Sequence, residues 1–209
     1  MKIFWSWQSD TPGKIGRFLI RDALRDAVDQ LKQSPEIQEP RRAALHLDHD
    51  IQGVPGTPDL ANTIFEKIGN SEVVLADATV VGKVFPSAET EGETSSKKLI
   101  NSNVAIELGY ALSALTDRKV LLVFNEHYGK HEDLPFDLRH KGGSIVFNLA
   151  PTASAQEIQE QKKKLKERFI LALKPYLQKT TAAAPSHPFL ETPSTFTKAA
   201  YFQKGEVLA

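Results

Sequence analysis

The segment Asn101-Ser-Asn-Val-Ala-Ile-Glu-Leu-Gly-Tyr-Ala111 places one carboxylate, Glu107, in the first turns of a short helix whose other positions are mostly apolar. It lies between two apolar runs, Glu72 to Ala76 and Lys119 to Asn125, that read as buried strands. A helix hydrophobic on nearly all sides is one buried between other elements. A glutamate there needs a partner or a task, because an unpaired buried charge is costly. Asn103 comes four residues earlier and Tyr110 three later, so both share its helical face. The pattern indicates a polar pocket opening at the edge of a parallel sheet.

Working outward, Lys2 to Trp7 is a β-prone run closed by the polar turn Gln8-Ser-Asp-Thr-Pro-Gly13. Apolar residues at Ile15, Leu19, Ala23, Leu24, Ala27, Val28 and Leu31 predict a helix over about 14–33, stopped by Ser34-Pro35. Arg42 to Leu47 reads as a second strand, and Asp48 to Gly56 as a loop dense in turn formers. Thr57-Pro58-Asp59 has the order of an N-cap, a first-turn proline and a first-turn acid, and opens a helix to about Ile68. Thr79 to Leu99 is a long polar segment holding Glu89, Glu91 and Glu93. A last strand, Ser144 to Leu149, precedes an amphipathic helix from about Ser154 to Leu173, limited by Pro175. Five strands alternating with helices predict a flavodoxin-like α/β fold, a three-layer sandwich around a five-stranded parallel sheet. Ligands of such sheets bind beyond the carboxyl ends of the strands. The Ser6–Asp10 turn, the Asp48–Gly56 loop, Asp77–Thr79 and the start of the Glu107 helix all fall there.

Composition narrows the function classes. The 209 residues carry 26 basic and 26 acidic side chains, so no basic surplus points to nucleic acid. With 41% apolar residues the chain can build a core. Cysteine is absent, which excludes disulfides, zinc–thiolate sites and thiol catalysis. No apolar run reaches the length of a membrane span or a signal peptide core, so a cytoplasmic location away from membranes is expected. His46, Asp48 and Asp50 alternate along one strand face, but no further ligand set accompanies them. A polar strand end is the simpler reading, and no metal is expected. From Thr180 a linker-like run leads to Ala209, so residues 180–209 are expected to be a linker and the start of a further module, or a C-terminal tail.

Five stretches in order resemble the bacterial TIR-like family, relatives of the Toll/interleukin receptor domains. They are Phe4-Trp-Ser-Trp-Gln-Ser-Asp10, Asp48 to Asp59, Leu75-Ala-Asp-Ala-Thr79, Asn103 to Ala111, and Leu134-Pro-Phe-Asp-Leu-Arg-His140. The resemblance covers residues 1–179. It implies a TIR-like strand order and an NAD⁺ glycohydrolase in which Glu107 is catalytic, with NAD⁺ as substrate and no cofactor. It also implies an effector of antiphage defence, activated by self-association through a sensor module or partner protein. The Asn103 to Ala111 pattern also resembles nucleoside 2-deoxyribosyltransferases, where the glutamate is a nucleophile. The runner-up is a non-enzymatic TIR assembly module, and deoxyribosyl transfer is the third reading.

Cleavage of the nicotinamide–ribose bond fits a lone glutamate, because the cationic pyridinium leaves without a general acid. One negative group to stabilise the oxocarbenium-like ribose suffices. Trp7 or Phe4 are candidates to stack on a flat base, and Ser6, Ser9 and Asp10 to bond ribose or phosphate oxygens. Asn103 lies where free helix N–H groups accept a phosphate. Asp50, Asp77 and Tyr110 complete the expected substrate-binding set. The plainer alternative for Glu107 is a structural ion pair with an arginine such as Arg139.

Overall fold

A computed structural model describes residues 1–50, 56, 59–85 and 96–178. Most of the second-strand loop, Thr57 and Pro58, the three acids of the long polar segment and the stretch from Thr180 lie outside the described residues. In chain order the elements are β1 (Lys2–Ser6), α1 (Arg17–Lys32), α2 (Glu39–Ala43), β2 (His46–Asp48), α3 (Leu60–Gly69) and β3 (Val73–Asp77). There follow β4 (Val80–Val84), β5 (Lys97–Ile100), α4 (Ser102–Ala114), β6 (Val120–Asn125), α5 (Phe136–Arg139), β7 (Ile145–Phe147) and α6 (Ala155–Gln178).

The main sheet has five strands in the order β2-β1-β3-β6-β7, and every pairing in it is parallel. This is the expected flavodoxin-like α/β fold. Every residue of β3, the central strand, is buried, as a parallel strand covered on both faces must be. Alternation along β1 sends Trp5 to one face and Phe4 to the other. Trp5 joins a core with Leu24 of α1 and Phe169 of α6, while Phe4 packs with Ile68, Val74, Ala111 and Leu115 under α3 and α4. Strand order reverses beside β1: the chain leaves it outward to β2 and crosses back to β3. The carboxyl ends of β1 and β3 therefore border the crevice where such sheets bind ligands.

Several elements depart from the sequence reading. Arg42 to Leu47 is not one strand. Pro40 in the first turn and an ion pair between Glu39 and Arg42 make a short helix of 39–43, and the strand begins only at His46. The helix predicted from residue 14 is interrupted at Gly16, where a Cβ would lie 2.5 Å from Thr11 Oγ1, and α1 proper starts at Arg17. Asp59, not Thr57, caps α3, its carboxylate accepting from Asn62 N–H at 2.9 Å. The long polar segment contains an antiparallel hairpin, β4 with β5. Helix α6 runs through Pro175, which lies on its exposed side, where the carbonyl freed by the missing N–H is left to water. Helix α4 buries only Val104, Leu108 and Ala111, leaving Ile106 59% exposed, so it is covered on one side rather than all round.

The short edge strand β2 is pinned to α3 electrostatically. Buried Asp48 accepts from Lys67 Nζ at 2.8 Å and pairs with Lys2 Nζ at 3.1 Å. Burial opposes ionisation of Asp48, but the hydrogen bonds and charges of Lys67 and Lys2 outweigh it and hold the carboxyl below its usual range. Lys67→Met leaves buried Asp48 with Lys2 as its one cation and the His49 N–H as its other partner. The expected cost is about 3 kcal/mol, measured as a fall in urea-denaturation stability at neutral pH.

Candidate active site

The site is assembled where β1, β2 and the first turns of α3 and α4 meet. Ser6, the last residue of β1, donates its hydroxyl to Glu107 Oε2 at 2.5 Å, joining residues 101 apart in sequence. Glu107 is half-buried, and no cation pairs with it among the described residues. The alternative ion pair is not formed, since the Arg139 guanidinium lies over the Phe136 ring at 4.9 Å. Burial pushes the Glu107 carboxyl above its ordinary pKa. The Ser6 hydrogen bond works against that shift, and the negative charge of Asp50 adds to it.

Asp50 stands at the end of β2 with φ 50°, a left-handed conformation that aspartate tolerates better than most residues. Its carboxylate accepts from Trp7 Nε1 at 2.9 Å and contacts His49 Nδ1 at 3.1 Å. The Arg17 guanidinium covers one face of the Trp7 ring, 4.2 Å from its centroid. Asn101 caps α4: its Oδ1 accepts from the N–H groups of Asn103 and Val104 at 2.9 and 3.1 Å. Its Nδ2 donates to Asp10 Oδ2 at 2.7 Å, fastening the β1 turn to the helix that carries Glu107.

A groove of about 270 Å³ runs between α3 and α4, with Glu107 and Asn103 in its wall. Leu60, Ile64 and Phe65 supply the α3 side and Ile106 the α4 side, so a carboxylate under desolvation faces an apolar slot. Such a place strengthens the interaction of Glu107 with any developing positive charge.

The expected residues divide clearly. Ser6 bonds Glu107 and Trp7 bonds Asp50, the two pairs being linked by the charge of Asp50 acting on Glu107; Asp10 is tied to the Glu107 helix through Asn101, and Asn103 shares the groove. Phe4 does not belong: it lies in the middle of β1 rather than at its end, and its ring is enclosed by Ile68, Val74, Ala111 and Leu115. Tyr110 is turned onto Phe65, ring centroids 4.8 Å apart, along the seam of the two helices. Ser9 is exposed in the β1 turn. The helix N–H groups proposed for a phosphate at Asn103 are occupied by the Asn101 cap. Arg17, Asn101 and the apolar groove residues are site members that sequence reasoning did not single out. Asn101 had a legible signal, a cap residue directly before an apolar run, whereas Arg17 reaches Trp7 only through the folded turn.

Asp77 lies beneath the site and is fully buried. It accepts from Thr79 N–H at 3.1 Å, Thr79 Oγ1 at 2.6 Å and Gln8 Nε2 at 3.1 Å, while Gln8 Oε1 accepts from the N–H groups of Asp10 and Thr11. Its place is therefore to hold the β1 turn in shape, out of reach of a ligand. Burial raises its pKa to about 6, against the lowering hydrogen bonds of Thr79 and Gln8.

No protein-family model matches this sequence, and no curated protein matches it. Among solved structures, the flavodoxin-like domain of a Synechococcus sp. protein is 10% identical over 84% of this chain and 99% of that one, with a TM-score of 0.42. A diflavin flavoprotein A3 from Nostoc sp. is 13% identical over 85% of this chain and 92% of that one, also at 0.42. At such identity and score neither bears on what this chain binds. Among the described residues no helix is long and apolar enough to cross a membrane.

The Asp77 pKa carries a signed consequence. Its folded value, about 6, exceeds the unfolded value of 3.8, so the folded state binds more protons between those limits and stability falls as pH rises through them. The difference in unfolding free energy between wild type and Asp77→Asn should drop by about 2 kcal/mol from pH 4 to pH 7. Denaturant titrations across that range measure it.

Proposed function

We propose that this chain is an NAD⁺ glycohydrolase in which Glu107 stabilises the ribosyl cation formed as nicotinamide leaves. The observation that carries the reading is the Ser6–Glu107 hydrogen bond at the rim of an apolar groove, with no cation neutralising the carboxylate among the described residues. A structural glutamate in that position would be paired; this one is held in place by a neutral donor and kept available. In the reaction the C1′–N bond breaks and its electron pair goes to the nicotinamide ring, which leaves neutral. Water adds to C1′ and yields its proton to solvent, giving ADP-ribose, or a ribose hydroxyl adds instead and closes a cyclic product.

In this reading Ser6 orients Glu107, and the negative charges of Asp50 and Asp10 favour the approach of a cationic pyridinium. Arg17, stacked over Trp7 and free of an ion pair among the described residues, is the cation assigned to the phosphates. The groove between α3 and α4 receives the flat base. The likeness of the five sequence stretches to the TIR-like family supports the same chemistry and an effector role in antiphage defence. A non-enzymatic assembly module is the second reading. It is favoured by exposed apolar side chains on the α3–α4 face, Leu60 at 56% and Ile106 at 59%.

Nicotinamide release from NAD⁺ distinguishes them when measured for wild type and Glu107→Gln at low and at high protein concentration. Release by wild type, with a loss of at least 100-fold in Glu107→Gln and an unchanged circular dichroism spectrum, is the expected result, on the scale of losing one electrostatic stabiliser. Equal release by both forms would remove Glu107 from the chemistry. Association at high concentration without any release would favour the assembly module.

A further inference from the structure

A second cavity, of about 360 Å³, opens at the opposite edge of the sheet, where β6 begins. Its floor is apolar, built from Leu108 and Leu112 of α4, Val120 and Leu122 of β6, and Leu138 of α5. Its rim is nitrogen-rich, with Arg118, His140 and Lys141. Lys141 Nζ is held by Asp117 Oδ2 at 2.8 Å, so that acid is already neutralised. The His140 ring packs edge-on against Phe136 at 4.7 Å, which fixes its direction. The Arg118 guanidinium has no partner among the described residues, while its main-chain carbonyl is anchored by the Tyr176 hydroxyl of α6.

Between His140 and β7 the rim is formed by Gly142 and Gly143. Gly143 has φ 80°, a left-handed conformation suited to glycine, and open space lies where either residue's Cβ would be. The N–H groups of both glycines donate to no acceptor among the described residues.

We propose that this cavity is a second ligand site, taking a small organic phosphate monoester. The phosphate is held by Arg118, His140 and the glycine N–H groups, and the organic part lies on the leucine floor. A guanidinium matches phosphate oxygens two at a time, and unpaired main-chain N–H groups in a glycine turn form an anion cradle. The apolar floor calls for more than a bare anion, and the volume lies at the lower end of small-molecule sites, which suits a mononucleotide rather than a dinucleotide. Helix α4 is common to both edges: Glu107 faces the first site while Leu108 and Leu112 floor the second. An occupant resting on Leu112, which is only partly buried, bears on the helix that positions Glu107. That coupling rests on the proposed NAD⁺ cleavage; the binding itself does not.

Calorimetric titration with adenosine monophosphate and, separately, inorganic phosphate tests the site in wild type, Arg118→Ala and Glu107→Gln. Arg118 is exposed and its anchoring carbonyl is retained in the variant, so the fold is kept. The nucleotide should bind wild type and Glu107→Gln alike, more tightly than phosphate, and at least tenfold more weakly in Arg118→Ala. No binding at millimolar nucleotide, unchanged affinity in Arg118→Ala, loss in Glu107→Gln, or phosphate binding as tightly as the nucleotide would each overturn the proposal. Because NAD⁺ cleavage is not part of the readout, an inactive wild type leaves this result interpretable.

Discussion

The hydrogen bond from Ser6 to Glu107 is the contact on which the rest of the site depends. It joins the end of the first strand to the first turns of a helix 101 residues further on, and sets a carboxylate at the point where the strand order reverses. A charged hydrogen bond of this kind is worth more than a neutral one, yet it does not offset the burial, and the carboxyl remains harder to ionise than in water. The helix is held in register by a second link, Asn101 to Asp10, and the turn between Ser6 and Asp10 is shaped from below by Gln8 and Asp77. Two layers of polar contacts thus determine where one oxygen pair sits.

Much of the fold was legible because buried parallel strands are written as short apolar runs. Val73 to Ala76 and Val120 to Phe124 are such runs, and their boundaries agree with the reading to within a residue or two. Helix α2 was missed because five residues are too few for a period to show. The β4–β5 hairpin was missed because Gly82 and neighbouring lysines break any alternation, and its strands find each other only in space. Pro175 misled for a different reason: it lies on the exposed side of α6 within a turn of its end, where the carbonyl it frees can turn to water and little helix remains to be broken. Of the site, Glu107, Ser6, Trp7 and Asp50 were visible as polar or aromatic residues at strand and helix ends. Alternation placed Phe4 and Trp7 on opposite sides of the run, but both faces of β1 are sealed, by Ile68 and Leu115 over Phe4 and by the α1–α6 core over Trp5; Trp7 is left to the site because it lies past the end of the strand. The pairing of Arg17 with Trp7 depends on the path of a turn, which carries no periodic signal.

Helix α4 gives the molecule a particular economy. Its apolar character, which first suggested complete burial, instead serves a buried side and the walls of two cavities. Glu107 and Asn103 look toward one cavity, and Leu108 and Leu112 toward the other. The buried residues of this helix, Val104, Leu108 and Ala111, are packed against the sheet, so the two cavity walls are carried by one fixed element.

The availability of the Glu107 carboxylate can be read directly by following its side-chain carbon signal through a pH titration by NMR, in wild type and in Ser6→Ala. The structure predicts a midpoint above that of an ordinary glutamate in wild type, and a further rise when the Ser6 hydroxyl is removed. A wild-type midpoint at or below the ordinary glutamate value would mean that a neutralising partner holds the carboxylate, and would contradict the picture of an unpaired carboxylate kept ready for a developing positive charge.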